Sequence, residues 1–343
     1  MKRLNGTLSR RLAPAKATAR ALKVIVCLLL AVLITCIIGL SVGSQWVSPY
    51  EVIAYFLGGA EQHAFVIGSL RFPRMAVAFL AGAALGIAGL ILQEVVRNPL
   101  ASPDVIGITS GASAAAVGFI TLTNGTISIR YLPLAAIFGA GIAACLIYVL
   151  AWKRGASTMR LVLTGIGVAA VMNATTTLFL IISPIQAASQ AYTWLVGSVY
   201  GRTLSDAAVM APWVLLLGAG VLFCSRAIQV HQLGDSVAFG LGARVQLQRL
   251  VFVLLSVGLA GTAVAFAGGI GFVGLVAPHL ARLLIGRPFV PVVVASALIG
   301  GWLVFFADVI ARTAFLPLDV PVGVFISGIG APFFIYLLFR TRH

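Results

Sequence analysis

At 343 residues, 61% hydrophobic and only 9% charged, the chain is far too poor in charge for a soluble domain and reads as an integral membrane protein. Its net charge of +15 does not mark a nucleic-acid binder, because the basic residues stand singly at the ends of apolar runs and form no face or stripe. Cys27, Cys36, Cys145 and Cys224 lie within apolar runs with no CxxC and no His or Asp cluster beside them, so they read as small buried hydrophobes and imply neither a disulfide nor a metal.

Residues 1–22 form a basic, acid-free tail that meets an apolar run from about Val24 to Leu40. The run is long for a signal peptide and no A-x-A site follows it, so an uncleaved first helix with a cytoplasmic tail is expected. An organellar transit peptide shares the same composition and is the lesser alternative. Residues 23–343 then read as one transmembrane domain. About 20 residues at 1.5 Å rise cross a bilayer once. On that measure the chain predicts ten crossings, over 22–41, 75–94, 104–122, 131–152, 158–182, 208–226, 249–268, 270–284, 290–311 and 319–340. The eighth is short, and Pro278 inside it predicts a broken or partly re-entrant helix. With a cytoplasmic N-terminus, 18 Lys and Arg fall inside and five outside, which fixes both termini as cytoplasmic.

The five outer arginines include Arg71 and Arg74, which open the second span in Leu70-Arg71-Phe72-Pro73-Arg74 on the side where positive charge is scarce. Arg97 stands at the other end of that span, followed by Asn98-Pro99-Leu100-Ala101-Ser102-Pro103-Asp104. Glu94 lies three residues before Arg97, which predicts a helical ion pair. Small-residue runs such as Ala81 to Gly89 suit close helix packing. A short outer helix is predicted around Tyr192 to Val199, with Tyr192 and Trp194 at the interface. The longest inner loop, 227–248, is divided by Gly234 and Gly242 into short amphipathic pieces. Asp308 stands four residues before Arg312, an ion-pair spacing, and His279 beside Pro278 reads as a structural histidine.

No G-x-x-x-x-G-K-[ST], G-x-S-x-G or H-E-x-x-H occurs, and the glycine-rich stretch from Gly268 to Gly274 lacks the strand context of a dinucleotide site. Proton-driven carriers place carboxylates at mid-membrane. Their scarcity here argues against the rival reading, a stand-alone secondary carrier or channel.

Six blocks in order resemble the permease subunits of iron–siderophore and vitamin B12 ABC importers, across about Gly39 to Arg340. They are Leu70 to Arg74; Gln93 with Arg97 to Gly107; Leu233-Gly234-Asp235 with Leu241-Gly242; Gly271 to His279; Ala307 to Arg312; and Leu318 to Gly323. Trp194 to Ser198 and Pro321 to Val324 are most similar to the ferric dicitrate and ferric siderophore permeases. The resemblance implies an all-α polytopic protein of about ten helices, a type II ABC importer permease in a bacterial inner membrane. It implies a dimer with a second permease subunit, either a copy or a sister chain. Two ATPase subunits would use ATP inside, and a periplasmic or lipid-anchored substrate-binding protein would dock outside. The cargo would be a ferric siderophore or ferric citrate, with vitamin B12 or haem as the alternative on the same scaffold. The chain would carry no cofactor and catalyse no bond chemistry.

By position, the resemblance implies that Arg71, Arg74 and Arg312 dock carboxylates of the binding protein, a contact suited to the guanidinium fork. Leu233, Gly234, Asp235, Ala238, Leu241 and Gly242 would couple to the ATPase, and Ser157, Thr158 and Met159 fall at the family's inner gate. Gln93, Arg97, Asn98, Pro99, Pro103, Asp104, Pro278 and His279 carry the family's structural motifs. The fifth and tenth crossings would line the pathway.

Overall fold

The computed structural model describes residues 2–59, 63–104, 106–152, 157–286, 288–315 and 318–340, with the side chains of 2–18, 338 and 340 excepted. Val105 and four basic residues expected inside, Lys153, Arg154, Arg287 and Arg342, lie outside the described residues. Fourteen α-helices are described: α1 Lys2–Ser41, α2 Pro49–Phe56, α3 Phe72–Val96, α4 Ile108–Thr123, α5 Leu132–Ala151, α6 Thr158–Ile182 and α7 Ile185–Val196; then α8 Leu204–Phe223, α9 Ser225–Gln232, α10 Asp235–Gly240, α11 Val245–Ala267, α12 Val273–Ile285, α13 Phe289–Thr313 and α14 Val322–Arg340.

Seven of these are long and apolar enough to cross a membrane, and α4, α12 and α14 supply three shorter apolar helices, so the described residues hold the ten predicted crossings in order. A π-helical turn, Val66–Arg71, leads into α3. Pro278 does not break α12, which runs continuously through it. The shortfall in length is taken up instead by the non-helical residues 268–272 ahead of the helix. The outer helix α7 starts earlier than predicted, and Trp194 is buried in the core rather than lying at the interface, whereas Tyr192 is exposed.

α3 is the axis of the bundle, buried from Ala81 to Gln93 without interruption. Lipid tails are as apolar as leucine, so such a helix is held by close packing and interhelical hydrogen bonds. Glycine provides the close packing. A β-carbon on Gly82 would stand 2.6 Å from the carbonyl carbon of Gly300 on α13, and one on Gly89 would stand 2.5 Å from Cα of Gly274 on α12. Ser256 on α11 adds a hydrogen bond from its hydroxyl to the Ala88 carbonyl at 2.9 Å. The sheath around α3 is α11, α12 and α13 with one side of α8, while α6 and α8 keep most of their surface outward.

Candidate functional site

Charge gathers at the two ends of α3. At the outer end, Arg71 donates to the carbonyls of Leu40 at 2.6 Å, Ser41 at 3.1 Å and Gln45 at 2.5 Å. Helix α1 ends there, and its last carbonyls have no partner within the helix, so a guanidinium satisfies both their hydrogen bonding and their partial negative charge. Arg74, one turn further on, grips two carboxylates. Its Nε lies 2.8 and 3.1 Å from the oxygens of Asp308, and its Nη1 and Nη2 lie 3.1 and 2.8 Å from those of Asp319. Asp308 belongs to α13 and Asp319 precedes α14, so one fork joins three elements. The ring of Tyr200 sits 5.7 Å from the Arg74 guanidinium carbon.

Arg312 donates to the Gly39 carbonyl. Its predicted partner Asp308 is 3.9 Å away, a weaker contact than the 2.8 Å to Arg74. Arg71 and Arg74, expected at the surface to meet a partner protein, are only 6% and 9% exposed and hold groups of this chain. The sequence reading missed Asp319 as a counter-charge of Arg74. Its signal was a second carboxylate at the outer end of the last span.

At the inner end, Arg97 closes α3 in the left-handed conformation, φ 53°. The chain turns there, and the side chain leaves the helix towards α9 and α10. Its Nε donates to the His231 carbonyl at 3.1 Å, and Nη2 pairs with Asp235. Arg249 of α11, fully buried, holds the other Asp235 oxygen at 2.6 Å. Burial pushes the Asp235 carboxyl up, but Arg249 and Arg97 together hold it below the usual carboxylate value. Burial also pushes the His231 imidazole down, and its ring Nε2 lies 2.9 Å from the Gln248 amide oxygen.

The predicted Glu94–Arg97 pair does not form. Glu94 accepts from Arg282 of α12 at 2.9 Å and from Gln232 of α9 at 2.7 Å. The physical reason is the turn at Arg97, which takes that guanidinium off the face that Glu94 occupies.

Gln93 explains how α12 tolerates its proline. Pro278 has no N–H, so the carbonyl four residues earlier, that of Gly274, loses its helical partner. The Gln93 amide nitrogen donates to that carbonyl at 3.2 Å, and Arg282 in turn donates to the Gln93 oxygen at 2.5 Å. The remaining motif residues shape the same neighbourhood. Asn98 accepts from the Leu100 amide at 2.9 Å, and Pro103 packs on Gly274. Asp104 lies beside Thr109 and the backbone of Phe272. Phe272 has φ 64°, a strained value for a bulky residue. His279 meets the Phe333 ring edge-on at 5.6 Å.

The inner loop is divided at the predicted glycines. Gly234, at φ 111°, separates α9 from α10, and Gly242 ends the second piece. Leu233, Phe239 and Leu241 are exposed on it, while Ala238 is buried. Phe239, 77% exposed, was not singled out by the sequence reading. Ser157, Thr158 and Met159 are placed apart from these clusters. Ser157 caps α6, accepting from Arg160 Nε at 3.0 Å, and Met159 is exposed. On the fifth crossing, α6, Gly167, Ala170, Asn173, Ala174 and Thr177 share an exposed face. On the tenth, α14, Ser327 and Gly328 are exposed.

A model of the FecCD transport family matches residues 29–340. The achromobactin transport system permease protein CbrC of Dickeya dadantii is 48% identical, over 92% of this chain and 90% of that protein. The iron(3+)-hydroxamate import system permease protein FhuG of Bacillus subtilis is 39% identical, over 95% of this chain and 99% of that protein. Among solved structures, an inward-facing conformation of an ABC transporter described as of metal-chelate type superposes with a TM-score of 0.81 at 27% identity, covering 93% of this chain and 99% of that one.

Proposed function

The chain belongs to the FecCD transport family, and on that premise we propose that it carries a ferric siderophore through a bacterial inner membrane, with ferric citrate as the nearest alternative cargo. It is a multi-pass permease subunit of an ABC importer. The observation that carries the cargo is the high identity, along nearly the whole chain, to permeases named for siderophore and iron-hydroxamate transport.

In this reading a second permease subunit pairs across the exposed faces of α6 and α14. Those faces mix small or weakly polar residues such as Gly167, Asn173 and Ser327 with exposed apolar ones such as Leu163, Ile166 and Ile329, a surface that can both pack on a partner and line a weakly binding pathway. Two ATPase subunits contact α9 and α10 from inside. The exposed Leu233, Phe239 and Leu241 support this, since a water-facing loop has no other use for three adjacent large apolar side chains. Ser157, Thr158 and Met159 belong to the inner gate. ATP-driven movement of α9 and α10 then changes the side on which the cavity opens.

A substrate-binding protein docks at the outer cluster. The three arginines Arg71, Arg74 and Arg312 are set against the two carboxylates of Asp308 and Asp319, which leaves an excess positive charge for acidic lobes. Asp319, a third exposed, is the carboxylate that a partner's can replace in the Arg74 fork.

The test is uptake of iron-55 as ferric hydroxamate, ferric catecholate and ferric citrate in cells with the gene deleted and restored. Loss and recovery of one chelate is expected; unchanged uptake of all three would send the assignment to vitamin B12 or haem. For docking, Asp319→Asn should strengthen binding-protein affinity, because it removes an internal competitor. Weaker or unchanged affinity would remove Arg74 from the docking surface.

A further inference from the structure

Glu94 is the only carboxylate on α3, and it lies where the sequence predicted a local ion pair that does not exist. Its two oxygens are instead divided between elements. Oε1 is held by Arg282 of α12 at 2.9 Å and Oε2 by Gln232 of α9 at 2.7 Å. A cavity of about 480 Å³, lined by Gln93, Glu94, Arg97, Gln232, Arg282 and Phe289, lies against these bonds. At its inner end the corner between α3, α9 and α12 is joined by directed polar contacts beside open space, while further along α12 packs on α3 through Gly89 and Gly274. The polar end can shift without unpacking a core, whereas the close-packed part resists continuous deformation.

The route onward from α12 is also visible. Phe272, at the head of that helix, presses on α14 so closely that a β-carbon on Gly330 would stand 2.5 Å from its Cγ. Leu275 and Val276 pack with Leu337 of α14 in one cluster. A displacement of α9 therefore reaches the pathway helix through Gln232, Glu94, Arg282, α12 and Phe272. The neighbouring Arg97–Asp235–Arg249 cluster holds α10 to α3 and α11.

We propose that Glu94 is a positioning residue for transport: the link through which movement of the cytoplasmic α9–α10 element is delivered to α12 and on to α14. The proposal rests on reading α9–α10 as the surface that the ATPase contacts.

The experiment uses the assembled transporter, permease with its ATPase, in proteoliposomes, after Cys27, Cys36, Cys145 and Cys224 are replaced by serine. Maleimide labelling of Ser327→Cys on α14 is timed before and after trapping with ATP and vanadate. In the native background, trapping should change the labelling rate. In Glu94→Gln, which keeps the side chain's shape and loses its charge, that change should shrink about tenfold, within the usual range for coupling between two sites. Glu94→Asp, which keeps the carboxylate, should retain more of it than Glu94→Gln. An undiminished change in Glu94→Gln would overturn the proposal, as would Glu94→Asp no better than Glu94→Gln. A separate Phe239→Cys variant is cross-linked to the ATPase in the otherwise native chain. Failure to cross-link would sink the α9–α10 reading itself, and the labelling result would show which of the two ideas had failed.

Discussion

Replacing Arg74 by methionine keeps much of the side chain's bulk and deletes the fork that holds Asp308 and Asp319. The two carboxylates are affected unequally. Asp319 is 35% exposed, so water takes over its solvation and its loss counts for little. The Asp308 side chain is 2% exposed and keeps only Arg312, 3.9 Å away. Stranding one member of a buried ion pair costs about 3–5 kcal/mol. The remaining Arg312 and the option of taking up a proton place this case at the low end, about 3 kcal/mol. Adding Asp308→Asn removes the stranded charge, so the double variant should recover to within about 1 kcal/mol of the native chain. The assay is unfolding of the purified permease in mixed micelles, titrated with sodium dodecyl sulfate and followed by circular dichroism. Equal stability of Arg74→Met and the native chain would refute the reasoning, and so would a double variant weaker than the single one.

Three further outcomes follow from the same contacts. Gln93→Leu leaves the Gly274 carbonyl without a donor beside Pro278 and should lower stability in that assay by about 1–3 kcal/mol, with Gln93→Glu no substitute because a carboxylate cannot donate. Gly82→Val forces α3 from α13, where the Gly300 backbone and the Val304 side chain lie opposite, at a cost of about 1–3 kcal/mol or more, read as reduced accumulation of folded chain in membranes, whereas Gly141→Ala, with open space beside it, should be neutral. The α9–α10 element should loosen in acid. Asp235 titrates below its ordinary value, so its contribution is complete above about pH 4 and is lost as the pH falls further. His231 is held neutral by burial, so protonation opposes the fold from about pH 6.5 downward. Both act in the same sense. Amide protection factors over 225–248 should fall between pH 7.5 and 4.5 through His231, while Asp235 stays ionised and α4 and α5 keep their protection, and equal protection at both values would remove His231 as a cause.

The ten crossings could be read from the sequence because length and hydropathy alone determine them, and α12 was correctly picked out as short. The split of the inner loop at Gly234 and Gly242 was legible for a local reason, since each glycine ends its own helix. What the sequence hid was the choice of partner. Glu94 has a basic residue three positions on, and nothing local reveals that Arg97 turns out of the helix or that the true partner is 188 residues distant. For the same reason the partners of Arg71 and Arg74 within the chain were hidden, because the carbonyls of α1 and the carboxylates of Asp308 and Asp319 become their neighbours only in the folded bundle. Trp194 was misplaced by a rule about aromatic residues at interfaces that a buried contact overrides. Pro278 predicted a break that Gln93, on another helix, makes unnecessary.

The outer fork also sets an order on how the protein can be made. Arg74 leaves the ribosome 234 residues ahead of Asp308 and 245 ahead of Asp319. For most of synthesis two arginines must be carried across the bilayer against the usual bias, with no counter-ion yet in existence. Arg71 can engage the end of α1 almost at once, from 31 residues away, and so anchors the early hairpin by neutral carbonyls alone. The outer end of α3 is therefore first tied to α1 through Arg71, and the Arg74 fork closes only once α13 and the segment ahead of α14 have been made.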